Sequence, residues 1–111
     1  MNSGIYLLLL FVAAVLEASG DALVRTGLHS TLLVKRIEFL LLGGFVLFSY
    51  GVVVNLPNWD FGRLLGVYVA MFFVVAQIIN YFGFGQKPSV SIIIGGLLIV
   101  GGGLLISLWR A

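Results

Sequence analysis

Four apolar blocks, at about residues 5–24, 39–56, 64–84 and 90–109, alternate with short polar joints along the chain. Each block approaches the ~20 residues that a helix needs to cross hydrocarbon. None alternates apolar with polar positions in the manner of a barrel strand, and an open sheet would leave edge groups unpaired in lipid. The pattern predicts transmembrane helices over about 5–26, 38–56, 64–84 and 89–109, in a single domain spanning 1–111. The expected fold class is therefore an all-α membrane protein: four transmembrane helices with short loops in a dimeric bundle.

The joints hold most of the punctuation. Arg25, His29, Ser30, Lys35 and Arg36 lie between blocks one and two, and Pro57 through Arg63 separate blocks two and three. Trp59 suits the headgroup layer. Gly85-Gln86-Lys87-Pro88 reads as a tight turn, with Pro88 expected in the first turn of helix four, where a missing N–H costs nothing. Loops this short are expected to make successive helices antiparallel neighbours.

Composition narrows the function. Of 111 residues, 61% are hydrophobic and 9% charged, whereas a soluble domain carries about 25% charged residues. Four acids and six bases cannot coat a water-facing globule of this size, so a soluble enzyme is excluded. The formal charge of +2 reflects a few residues at the membrane surface rather than a nucleic-acid site. Without cysteine there is no disulfide or thiolate metal site. No nucleophile–base pair, metal-ligand spacing or phosphate loop appears; no enzyme activity, metal or cofactor is expected, and the lone His29 has no assigned role. The first block lacks the basic flank of a signal peptide and is expected to persist as a helix.

Arg25, Lys35, Arg36 and Lys87 fall on one side of the membrane, against Arg63 and Arg110 on the other. That four-to-two excess favours cytoplasmic first and third loops with both termini outside. The bias is small enough to leave insertion in both orientations open.

Glu17 is the most informative residue. Twelve steps of ~1.5 Å from Ile5 place it ~18 Å into its helix, near the midplane of a ~30 Å core. A carboxylate there costs ~2.5 kcal/mol or more, and such groups usually face a cavity on an ion or substrate path. Asp21 and Arg25 follow at four-residue intervals on the same face. The spacing allows either an Asp21–Arg25 salt bridge, the favoured reading, or a coupled Glu17–Asp21 acid pair. Tyr68, Gln77, Asn80 and Tyr81 on helix three, with Ser49, Tyr50 and Asn55 on helix two, are expected to point inward. They serve either as interhelical hydrogen bonds of ~0.6–2 kcal/mol or, for the aromatic rings, as cation–π partners worth ~2 kcal/mol when desolvated. The candidate proton and substrate site is accordingly Glu17, Asp21, Tyr68, Gln77 and Asn80.

Small residues repeat at helical spacing. Ala14, Ala18 and Ala22 run beside the Glu17 face; Gly96, Gly103 and Ser107 form one stripe on helix four, with Gly95 and Gly102 adjacent. Such stripes let helix backbones approach closely. Because four short helices enclose little volume, Gly96, Gly103 and Ser107 are assigned to a dimer interface; packing within the chain is the alternative use.

The segment from Ala14 to Arg25 resembles the first helix of the small multidrug resistance transporters, within the drug/metabolite transporter superfamily. In that family an embedded Glu is followed by Gly three residues on and a basic residue eight on, as Glu17, Gly20 and Arg25 are here. Phe84-Gly85-Gln86-Lys87 resembles the family's turn between helices three and four, and Gly95 through Ser107 its dimerising last helix. The resemblance covers nearly the whole chain. It implies a proton-coupled exporter of small or hydrophobic cations, working as an antiparallel homodimer in the bacterial inner membrane. It further implies that Glu17 of each subunit binds proton and substrate competitively, with Tyr68 at an aromatic lining position. Leu65 stands where the family carries Tyr, Ala70-Met71-Phe72 where it has a glycine-rich hinge, and Asp21 where a neutral residue is usual.

Those differences keep two other readings open: one half of a heterodimeric carrier for a lipid-linked sugar or similar amphiphile, or a non-transporting structural subunit of a membrane complex. The orientation reading is tested by labelling each terminus from one side of sealed membranes. Comparable labelling from both sides is the outcome expected of an inverted homodimer, whereas strictly one-sided labelling would exclude it.

Overall fold

The computed structural model describes residues 3–109 and shows four helices: α1 (Ser3–Leu28), α2 (Leu33–Val54), α3 (Phe61–Phe84) and α4 (Val90–Leu108). All four are long and apolar enough to cross a membrane, and no strand occurs among the described residues. The chain is thus a small multi-pass membrane protein. Arg110, used above to weigh the charge balance, lies outside the described residues.

The helices begin and end where local chemistry tells them to, which is not always where hydropathy changes. α2 starts five residues before its expected first residue, 38, and takes Lys35, Arg36 and Glu38 into its first turns. Hydropathy marks only the hydrocarbon-facing part, while a helix continues into the interface wherever charged side chains can be solvated. Lys35 and Glu38, three apart on one face, form a 3.8 Å ion pair there. α2 ends ahead of Leu56-Pro57, since a residue preceding proline is pushed out of the helical region; Asn55 closes the end, its side-chain amide donating to the Gly51 carbonyl at 2.7 Å.

α3 opens on Asp60, whose carboxylate accepts from the Arg63 backbone N–H at 3.0 Å. It closes on Gly85, at φ 67°, a left-handed conformation that suits glycine. There the Gly85 and Gln86 N–H groups donate back to the Tyr81 and Asn80 carbonyls at 3.1 and 3.3 Å. Pro88 proves not to be in the first turn of α4. Ser89 is the N-cap, accepting from the Ile92 N–H at 3.3 Å, so Pro88 stands before the helix and stiffens the approach.

The helices lie side by side in the order α2–α1–α3–α4 rather than as a closed bundle. Among the described residues no Cα of α4 comes within 8 Å of α1 or α2, and none of α2 within 8 Å of α3. The result is a slab of 53 × 34 × 18 Å. Contrary to expectation, α2 and α3 are not packed neighbours despite the short joint between them. That joint passes the start of α1, where Trp59 meets Tyr6 edge-to-face at 5.3 Å, and α3 descends on the other side of α1.

α1 is central because it carries two narrow faces. On one, Gly20 and Gly27 meet α2: a Cβ at Gly20 would fall 2.7 Å from Leu47 and 3.3 Å from the Gly43 carbonyl. On the other, Ala14 and Ala18 are buried in a core with Leu64, Val67, Tyr68 and Val75 of α3. Lipid offers no hydrophobic drive for such contacts, so close backbone approach supplies the association instead.

The Gly96–Gly103 stripe has the same function within the chain. A Cβ at Gly96 would strike the Phe73 ring, and one at Gly103 the Ala70 side chain. The main-chain carbonyl of Ser107 accepts from the Arg63 guanidinium at 3.0 Å. Gly96 and Gly103 therefore pack α4 against α3, the within-chain use of the stripe, and Ser107 joins that contact through its main chain. The open glycines of α4 are Gly95, Gly101 and Gly102, around which the space is empty.

Gly103→Val is expected to lower stability in detergent by ~1–3 kcal/mol through overpacking against Ala70. Gly101→Ala, introduced into open space, should leave the unfolding midpoint within ~0.5 kcal/mol of the parent. Equal effects of the two substitutions would contradict this assignment of the α3–α4 contact.

Candidate functional site

Glu17 sits between the two packing faces of α1. With Gly20 turned to α2 and Ala18 to α3, the intervening side chains of Glu17 and Asp21 project toward the cleft that separates those helices. The backbones of α2 and α3 stay apart, but aromatic side chains bridge them: Tyr50 of α2 and Tyr68 of α3 have ring centroids 5.7 Å apart. Phe72, one turn along α3, stacks on Tyr68 at 6.1 Å. The cleft is therefore floored by a row of rings with a carboxylate at its side.

The central contact is short. The Tyr68 hydroxyl donates to Glu17 Oε1 at 2.7 Å and approaches the Ala13 carbonyl at 3.3 Å. A phenol has one proton to give, and the shorter contact, to Glu17, takes it. Tyr68 is only 3% exposed, so this donor is fixed by packing before any ligand arrives. Glu17 itself is half-buried, reachable from the cleft yet shielded on its Tyr68 side.

One turn toward the α1 C-terminus, the cleft widens into a groove of about 270 Å³. Ala18, Asp21, Ala22 and Arg25 form its α1 wall; Phe72, Ala76, Ile79, Asn80 and Phe84 form its α3 wall. Asp21 is exposed to this space. The expected Asp21–Arg25 salt bridge is not formed: among the described residues Lys35–Glu38 is the one ion pair, and the Arg25 guanidinium lies over the Phe84 ring at 6.0 Å. An aromatic face on α3 competes successfully for a cation whose sequence spacing favoured the acid on its own helix.

The predicted residues thus divide. Glu17 and Tyr68 are in contact, and Asp21 and Asn80 line the adjoining groove. Gln77 does not join them. It continues the α3 stripe Gly66–Ala70–Phe73, which faces α4, and its Oε1 is buried without a hydrogen-bond partner. Three residues of separation set Gln77 about 60° around the helix from Asn80, enough to put them on different interfaces. Of the other polar residues expected to face inward, Ser49 bonds its own helix at the Phe45 carbonyl, 3.1 Å away, and Tyr81 is exposed and packed edge-on against Phe82.

Sequence reasoning assigned no site role to Phe72 or Phe84, and it offered Tyr50 as an inward hydrogen-bonding or cation–π residue without placing it beside Tyr68. The available signal for Phe72 was its four-residue spacing from Tyr68. For Phe84 there was none, because its position depends on where α3 crosses α1. Among the described residues no three of His, Asp and Glu come together as a metal-binding group.

Tyr68→Phe retains the ring and removes the hydroxyl. It should cost about 0.5–1.5 kcal/mol of stability, the net value of one hydrogen bond. The Glu17 carboxyl band in infrared difference spectra should shift relative to the parent. An unmoved band would mean that the two side chains do not interact in the membrane. No family model, curated protein or solved structure matches this chain, so its site stands on its own geometry.

Proposed function

We propose that the protein is a membrane transporter that exchanges small or hydrophobic cations for protons, with Glu17 as the group both compete for. The observation that carries this reading is the Tyr68–Glu17 hydrogen bond at mid-span, on a carboxylate that remains reachable from the cleft. A merely structural acid would be sealed among partners that satisfy both its oxygens. Glu17 instead has one oxygen held by Tyr68, and its side chain is only half-buried.

The chemistry follows from charge balance. In lipid an unpaired carboxylate is unfavourable by ~2.5 kcal/mol or more, so the group is either protonated or accompanied by a cation. Proton binding removes the charge that holds the cargo, and cargo binding requires that the proton leave. One site then couples opposite fluxes without a separate proton path. The rings of Tyr50, Tyr68 and Phe72 offer π faces to an organic cation beside the acid.

A slab 18 Å thick, with the cleft open on one side, does not surround a solute by itself. In this reading a second copy covers the cleft, bringing two Glu17 carboxyls to one cavity, and rocking between the copies changes the accessible face. The spacing of Glu17, Gly20 and Arg25 and the Gly85-Gln86-Lys87 turn support the same assignment through their resemblance to small multidrug resistance transporters. On that resemblance the membrane is a bacterial inner membrane and the two copies are inverted.

Glu17→Gln in proteoliposomes is expected to reduce proton-driven cation uptake to the level of protein-free vesicles, while the purified variant keeps the helical content of the parent. Uptake that still follows an imposed pH gradient in this variant would end the proposal.

A further inference from the structure

The groove beyond Glu17 is lined by both the Asp21 carboxylate and Arg25, four residues apart on α1, yet among the described residues the two form no ion pair. Asp21 is exposed to the groove, and Arg25, at the spacing that would pair them, lies over Phe84 at 6.0 Å instead. On the facing wall Asn80 supplies a carboxamide, with Phe72 and Ile79 beside it.

We infer that this groove is a separate docking station for primary or secondary ammonium compounds with an apolar body, kept vacant by the Arg25–Phe84 contact. Two kinds of oxygen acceptor, the Asp21 carboxylate and the Asn80 amide carbonyl, suit an N–H-bearing cation. The rings and aliphatic side chains below suit its hydrocarbon part. A groove of about 270 Å³ has room for a small arylalkyl amine. The inference deepens the exchanger reading, on which it rests for the idea that such cations are cargo. Asp21 lies ~6 Å along the helix axis from Glu17, so a docked amine is one helical turn from the exchange site.

Phe84 is a positioning residue here. Its ring holds the Arg25 guanidinium at the rim of the groove; without the ring, Arg25 would swing onto Asp21 at the favourable four-residue spacing and occupy the site as a tethered cation.

The test is calorimetric titration of the purified protein in detergent with phenethylammonium, against phenethyl alcohol as the uncharged counterpart. The ammonium should bind and the alcohol should not. Asp21→Asn should weaken ammonium binding about tenfold or more. Phe84→Leu should weaken it about twofold to fivefold, and adding Arg25→Gln to Phe84→Leu should restore affinity to that of Arg25→Gln alone. Restoration separates the positioning role from direct contact between Phe84 and the ligand, which the second substitution would not repair. Equal binding of alcohol and ammonium, or unchanged affinity in Asp21→Asn, would overturn the docking station. Failure of Arg25→Gln to rescue would overturn the role of Phe84. Asp21-dependent binding in a protein that shows no proton-driven uptake would leave the groove assigned and remove the exchanger reading. Proton-driven uptake alongside Asp21-independent binding would do the reverse.

Discussion

A carboxyl group in the middle of a membrane-spanning helix must face something other than lipid, and in this protein it faces a phenol. The Tyr68–Glu17 bond joins α1 to α3 at the side of the cleft and gives the acid a fixed donor in a low-dielectric setting. The surrounding features serve to put those side chains within 2.7 Å of each other. Ala14 and Ala18 let α1 and α3 close up; Gly20 and Gly43 let α2 and α1 do the same, leaving the Glu17 side chain in the gap.

The row arrangement of helices has consequences for both ends of the molecule. At the Trp59 end, Arg63 lies over Trp59 at 5.4 Å and donates to the Ser107 carbonyl near the end of α4 at 3.0 Å. There a cation near a helix C-terminus is favourably placed against the helix dipole. At the opposite end Arg25 is held only by an aromatic face. One end of the slab is thus tied across three segments, while the other has its cation on a weaker contact beside an open groove.

Much of this was legible along the chain. The four spans follow from hydropathy alone, because no other structure satisfies backbone groups in lipid. Glu17 stood out because an acid at that depth is costly whatever surrounds it. The glycine and alanine stripes announced close packing but not with which partner: the same spacing serves contacts within a chain and between chains. Within the chain, Gly96 and Gly103 pack against α3.

Sequence by itself determined the number of helices, their approximate limits and the acid, since each depends on the one-dimensional sum of transfer energies, while the caps at Asp60, Gly85 and Ser89 came into view with the structure. Only the tertiary structure decided which polar groups meet. A helix presents Gln77 and Asn80 about 60° apart, and the crossing of α3 over α1 directs one to α4 and the other to the groove. The same crossing brings Phe84 under Arg25 and so frees Asp21. Pairings of this kind depend on rotation and crossing of helices that are far apart in sequence, and spacing within one helix carries no information about them.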